Sequence, residues 1–183
     1  MPEYRRIKIK GGTYFFTVVT LGRQPILTED SVRAALREGI QEVRQSMPFS
    51  IDAWVLLPDH LHTIWTLPKD DANFASRWAI IKRAVSKRCS FLAGNRGQVG
   101  NSRDKRSENP ILQRRFWEHF IRDDVDLQRH FDYLHWNPVK HGYAKKVIDW
   151  PYSTFHRFVN KGLYPSDWGG INEEEVKDMG FGE

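Results

Sequence analysis

His60 and His62 bracket a single leucine inside Trp54–Trp65, a run that is otherwise mostly apolar, β-branched and aromatic. Side chains on a strand alternate faces, so the two imidazoles point the same way and Leu61 the other. Two imidazoles on one rigid face can hold a metal ion. Further along, Tyr133 and Asn137 lie four apart in a helical pattern, on one side and one turn apart. If that side faces the histidine strand, Asn137 adds an amide oxygen to the metal and Tyr133 presents its phenol nearby. A divalent cation on a non-bridging phosphate oxygen offsets the diester's charge and orients phosphorus for in-line displacement. Tyrosine, with an ordinary pKa of about 10, needs such a cation close by to act as a phenoxide nucleophile. Ligand softness leaves zinc open for two imidazoles, and magnesium or manganese for a site completed by oxygen. Each piece also has a plain structural reading: hydrogen-bonded core histidines, a packing tyrosine and an asparagine that stops a helix.

The elements that must position these groups are legible in outline. Thr13 to Leu21 reads as a strand, β-branched and aromatic between glycines. From Asp30 to about Gln45, Val32, Leu36, Ile40 and Val43 recur at helical spacing, and Pro48 closes that helix. Ile51–Leu57 and His60–Leu67 read as two antiparallel strands joined at Pro58-Asp59. Phe74, Trp78, Ile81, Val85 and Cys89 mark one face of a second helix, with Arg83, Lys87 and Arg88 off that stripe. Arg115–Ile121 reads as a fourth strand. A third helix, capped at Asp123-Asp124, is expected to run to about Trp136 with Val125, Leu127, Phe131 and Leu134 inward, and to stop at Pro138. This order predicts an α+β fold, a ferredoxin-like antiparallel sheet with helices packed on one face. One domain is expected over residues 1–183, with a mobile basic loop near 93–109 and a turn-rich C-terminal tail from about 150.

Bulk properties narrow the class. With 40% hydrophobic and 28% charged residues, the chain of 183 residues can bury a core as one soluble domain. It has no apolar run of membrane-spanning length, and its polar start is unlike a secretory signal. A single cysteine excludes an internal disulfide and a multi-thiolate zinc site, which suits a reducing cytoplasm. The net charge of +5 favours an anionic partner. Positive charge is concentrated at Arg83, Lys87, Arg88, Arg96, Arg103, Lys105 and Arg106, the candidate DNA contacts, although a solvated basic face would look the same. Seven tryptophans supply flat rings of the kind unpaired bases stack on.

Leu57-Pro58-Asp59-His60-Leu61-His62 resembles the His-hydrophobic-His signature of the HUH endonucleases. Phe116 to Asp123 and Tyr133 to Gly142 resemble the single-tyrosine transposases, and within them the REP-associated branch. Trp150 to Phe155 and Gly162 to Trp168 extend the similarity, which covers about Tyr14 to Trp168. The resemblance implies a metal-dependent (magnesium or manganese) endonuclease and transesterase. Its expected partner is single-stranded DNA with imperfect, REP-type hairpins, cleaved through a 5′-phosphotyrosine link that leaves a free 3′-hydroxyl. Carried over by motif, Tyr133 is the nucleophile and His60, His62 and Asn137 are the metal ligands. A glutamine often fills the last position in insertion-sequence relatives. His119 also matches the family pattern. The insertion-sequence relatives imply a dimer and the REP-associated branch a monomer.

Two other classes fit some of the same residues. A non-catalytic single-stranded nucleic-acid-binding module would use the sheet, basic helix and aromatics without cutting. A hydrolytic zinc nuclease would cut without a covalent adduct.

Overall fold

The computed structural model describes residues 8–95 and 111–171. Four strands, β1 (Thr13–Val19), β2 (Ser50–Leu56), β3 (His60–Thr66) and β4 (Trp117–Phe120), form one antiparallel sheet in the order β2-β3-β1-β4. The helices are α1 (Asp30–Ser46), α2 (Phe74–Arg88), α3 (Asp124–Lys140) and the short α4 (Phe155–Asn160). The α+β, ferredoxin-like architecture is the one expected, with the two sequence-adjacent strands β2 and β3 placed side by side. Among the described residues no helix is long and apolar enough to cross a membrane.

Both sheet faces are covered, and here the one-sided expectation needs correcting. Tyr14, Phe16 and Val18 of β1, with Leu61 and Trp65 of β3, pack against Val32, Leu36, Ile40 and Val43 of α1 and Phe74, Trp78, Ile81 and Val85 of α2. The Trp65 and Trp78 rings stack at 4.3 Å, a pair worth about 1 kcal/mol beyond its buried area. Gly39 lets α1 approach α2: a Cβ there would lie 3.2 Å from that of Ala84. The alternate residues, Phe15 of β1, Ile64 of β3 and Ala53 and Val55 of β2, meet Tyr133 and Leu134 of α3 and Phe155 of α4. A strand that is apolar at consecutive positions, as in Tyr14-Phe15-Phe16, has to be buried on both faces. Residues from 150 to 171 are therefore no loose tail, because Phe155, Phe158 and Tyr164 belong to this second core.

Helix α3 departs from the expectation in two further ways. Its Asp123 cap is present, accepting from the Asp126 N–H at 2.8 Å. Val125, however, is 63% exposed, and the stripe turned to the sheet is Asp126, His130, Tyr133, Leu134 and Asn137, all buried. A face chosen by apolar spacing alone misses a stripe made mostly of polar side chains. The helix also continues through Pro138 to Lys140. Proline forfeits its own N–H and its ring crowds the carbonyl four residues earlier, but only two helical residues follow it here. His141 N still donates to Asn137 O at 3.0 Å and Tyr143 N to Pro138 O at 2.8 Å. Gly142, at φ 71°, then ends the helix in the left-handed conformation.

Candidate active site between strand β3 and helix α3

Register places the histidines. Thr17 pairs with His62 and Val19 with His60, so both imidazoles share the face of Phe15 that α3 covers. The turn before His60 is held by three main-chain bonds: Leu57 N to His60 O (2.9 Å), Thr20 N to Asp59 O (2.8 Å) and Leu27 N to Pro58 O (2.8 Å). Both histidines are buried, with ring centroids 5.0 Å apart.

Each imidazole is oriented through Nδ1. His60 Nδ1–H donates to Asp59 Oδ1 at 2.7 Å, and His62 Nδ1 bonds Thr17 Oγ1 at 2.9 Å. Burial pushes the Asp59 carboxyl up, but the hydrogen bond from His60 and the Arg23 guanidinium at 3.2 Å outweigh it and hold the group below the ordinary carboxylate range. Asp59 is thus an ionised acceptor, which fixes the His60 tautomer. With Nδ1 engaged on both rings, Nε2 is the nitrogen each can offer to a ligand, the arrangement usual for metal-binding histidines.

Tyr133 is fully buried with its ring 5.4 Å from that of His62. Asn137, one turn on, is fully buried on the same α3 stripe. The residues predicted to act together, His60, His62, Tyr133 and Asn137, therefore share one face of the sheet. Lys140 was not anticipated: its Nζ donates to the Tyr133 phenol oxygen at 3.0 Å and sits 4.9 Å from the ring centroid. Its signal was seven-residue spacing, two turns on the same side, hidden by the expectation that Pro138 ends the helix. His141, its ring 5.1 Å from His60, was hidden likewise.

A second cluster lies at the N-terminal end of α3. His119, Asp126 and His130 offer nitrogen and oxygen atoms within 4.8 Å of one another, as a cation site would. Asp126 Oδ2 already accepts from His119 Nε2 at 2.8 Å, and from Arg122 N and Nε at 3.0 Å each. His130 Nδ1–H donates to the Asp126 carbonyl at 2.7 Å. Burial, chiefly, pushes His130 down to about 4 and so keeps it neutral. For Asp126 burial acts upward, but Arg122 and His119 keep the carboxylate far below its usual range. A cation would have to displace these donors; the cluster is a latch tying β4 to α3, the structural role open to His119.

The basic residues expected to meet DNA divide. Arg83, Lys87 and Arg88 lie on α2, across the sheet from Tyr133. Arg83 and Lys87 are exposed, whereas Arg88 is bound to Glu38 at 2.9 Å and also to Glu42. Arg77, a further basic residue of α2 outside that set, is buried, held by Met47 O, Pro48 O and Asp71, and is structural. Arg96, Arg103, Lys105 and Arg106 lie outside the described residues, as does nearly all of the expected mobile loop.

No protein-family model matches the chain. It is 46% identical over 183 residues to the REP-associated tyrosine transposase of Escherichia coli, covering 100% of this chain and 98% of that one. It is 44% identical over 181 residues to a Haemophilus influenzae protein described as a putative REP-associated tyrosine transposase, with 97% and 98% covered. A solved REP-associated tyrosine transposase bound to a REP hairpin superposes with a TM-score of 0.81 at 47% identity, over 100% of this chain and 98% of that one. Full-length identity of this order, together with the shared fold, shows that the chain belongs to the REP-associated tyrosine transposases.

Proposed function

We propose that this transposase cleaves and rejoins single-stranded DNA beside REP-type hairpins, with Tyr133 as the nucleophile. The observation that carries the proposal is the Tyr133 phenol, buried against His62 with the Lys140 ammonium 3.0 Å from its oxygen. The solved relative with a REP hairpin supports the substrate class. In the forward step the phenol oxygen attacks phosphorus, the bond to the 3′-oxygen breaks, and a 5′-phosphotyrosine and a free 3′-hydroxyl result. The reverse attack by a 3′-hydroxyl restores a diester without an external energy source.

His60 and His62, with Asn137 as an oxygen donor, suit a divalent cation of the magnesium or manganese kind. Two Nε2 atoms backed by Thr17 and Asp59 and one amide oxygen form a donor set that waters and a phosphate oxygen would complete. Such an ion, when bound, supplies Lewis-acid polarisation of the phosphate. Lys140 holds the phenol oxygen and offsets the negative charge it gains, and the dry surroundings of Tyr133 strengthen that interaction. Asp59 and Thr17 fix the rings.

Hairpin-bearing single-stranded DNA with manganese, resolved on a denaturing gel, tests the proposal. Wild type forms a protein–DNA adduct, and Tyr133→Phe forms none while still binding the hairpin. Binding without any adduct in wild type would point instead to a non-catalytic module, and cleavage that survives Tyr133→Phe to a hydrolytic nuclease.

A further inference from the structure

A run of rings leads from His60 away from the phenol. His141 lies 5.1 Å from His60, Tyr143 6.0 Å from His141, Trp150 5.7 Å from Tyr143 and Tyr152 5.6 Å from Trp150, centroid to centroid. The Arg33 guanidinium closes the run 4.6 Å over Tyr152. Successive planes from His141 to Trp150 are tilted by 30° and 33°, whereas Tyr152 stands at 88° to Trp150 and His60 at 73° to His141. Tyr143 is 43% exposed, one of six large apolar side chains turned to solvent among the described residues, and His141 is exposed beside it.

The backbone under these rings is pinned. The Trp150 indole N–H donates to Leu56 O at 3.0 Å, and its own carbonyl is bonded by His156 Nε2 at 3.0 Å. Leu56 N donates to Tyr152 O at 2.9 Å, tying the run to the end of β2. Lys145 and Lys146 are exposed next to Tyr143, and Arg23 is half exposed beside Asp59. Asp149 is an exposed acid in the neighbourhood, while Asp59 is engaged by His60 and Arg23. Arg23 with Asp59 and Arg33 with Asp30 offset each other, so the local balance is a small net positive charge, Lys145 and Lys146 against Asp149, beside flat, partly exposed rings, a composition that suits a single strand.

We infer that the run His141–Tyr143–Trp150, with Tyr152 as its edge-on end, is a stacking track for the unpaired nucleotides flanking the hairpin foot, leading that strand to the tyrosine site at His60. The inference rests on the proposed function and adds the path of the substrate. Bases of a duplex are closed to side-chain rings, whereas unpaired bases stack on them in any sequence. Exposed lysines and arginines beside the rings meet the phosphates between stacked bases.

Two hairpins of identical stem test it, one blunt and one with unpaired nucleotides on both sides, their affinities measured with Tyr143→Ala, Tyr143→Leu and Tyr143→Phe. Leucine keeps the apolar bulk, so its variant separates stacking from folding. Alanine and leucine are expected to weaken the flanked hairpin roughly ten-fold and phenylalanine hardly at all, with the blunt hairpin unaffected throughout. Equal weakening of both hairpins, or no change with either, overturns the track. Flank-dependent loss in the Tyr143 variants, together with a wild type that never forms an adduct, would sink the enzymatic proposal and leave the track standing.

Discussion

Lys140 Nζ donates to the Tyr133 phenol oxygen at 3.0 Å across two turns of α3. The contact exists because α3 runs on past Pro138, and it puts a hydrogen-bond donor beside the atom proposed to attack. A preorganised donor of this kind acts where charge develops, but the lysine is exposed, so its effect stays below that of a sealed oxyanion-hole donor. Lys140→Gln is expected to slow single-turnover adduct formation by about ten- to a hundred-fold, with hairpin affinity little changed and Lys140→Arg partly restoring the rate. An unaltered rate in the glutamine variant would remove Lys140 from the chemistry.

Thr17 controls His62 in the same indirect way. Its hydroxyl is the partner of His62 Nδ1 at 2.9 Å, and both residues are buried. Thr17→Val keeps the shape and deletes the hydrogen bond, at a stability cost of about 1–3 kcal/mol for the buried nitrogen left behind. Manganese affinity is expected to fall about 10–100-fold, and Thr17→Ser to recover most of it. Manganese titration monitored by calorimetry checks this; equal affinity in wild type and the valine variant would detach His62 from the metal.

The fold and the placement of half of the candidate site are legible because their signals are periodic. His60-Leu61-His62 reads correctly on a strand since a two-residue repeat fixes the shared face, and Tyr133 with Asn137 reads correctly since four residues make about one helical turn. What was hidden depends on partners distant in sequence. Thr17 becomes a partner of His62 only once β1 and β3 pair in register. The burial of Asp126 and His130 needs the latch with His119, and apolar periodicity instead points to Val125, which faces solvent. Pro138 was over-read as a stop because, within the last turn, the bond it forfeits matters little. The second helical layer was missed although Tyr14-Phe15-Phe16, apolar on both faces, already required it.

The latch also sets a pH dependence. Unfolded histidine titrates near 6.5, whereas burial pushes His130 down to about 4, so the unfolded chain binds the extra proton between these values. The stability contribution is complete above about pH 6.5 and is lost as pH falls toward 4, by up to about 1.4 kcal/mol per pH unit for each such group. His135, pushed down by burial to about 3, acts in the same direction. Asp126, held below its usual range, adds its loss only under the ordinary carboxylate value. His130→Gln keeps a donor toward the Asp126 carbonyl without titrating. Denaturant melts between pH 4 and 6.5 are therefore expected to show a shallower slope than wild type, and an unchanged slope would refute the assignment.

The basic residues of α2 make a last, divided case. The sheet separates them from Tyr133, so they can meet only a part of the DNA that leaves the reacting strand. Lys82 Nζ reaches Gln113 O at 2.7 Å, just before β4, so α2 borders the β4 edge of the sheet. A hairpin stem lying along that edge would meet exposed Arg83 and Lys87. Arg88 differs, because Glu38 and Glu42 of α1 already hold its guanidinium. Each lost phosphate contact flattens a log affinity against log salt plot by about 0.7–0.9. Replacing Arg83 and Lys87 together by alanine should therefore flatten the hairpin-binding plot by roughly 1.5, whereas Arg88→Ala should leave its slope as in wild type. Equal slopes for all three proteins would free α2 from DNA contact, and flattening by Arg88→Ala alone would mean that DNA displaces the two glutamates.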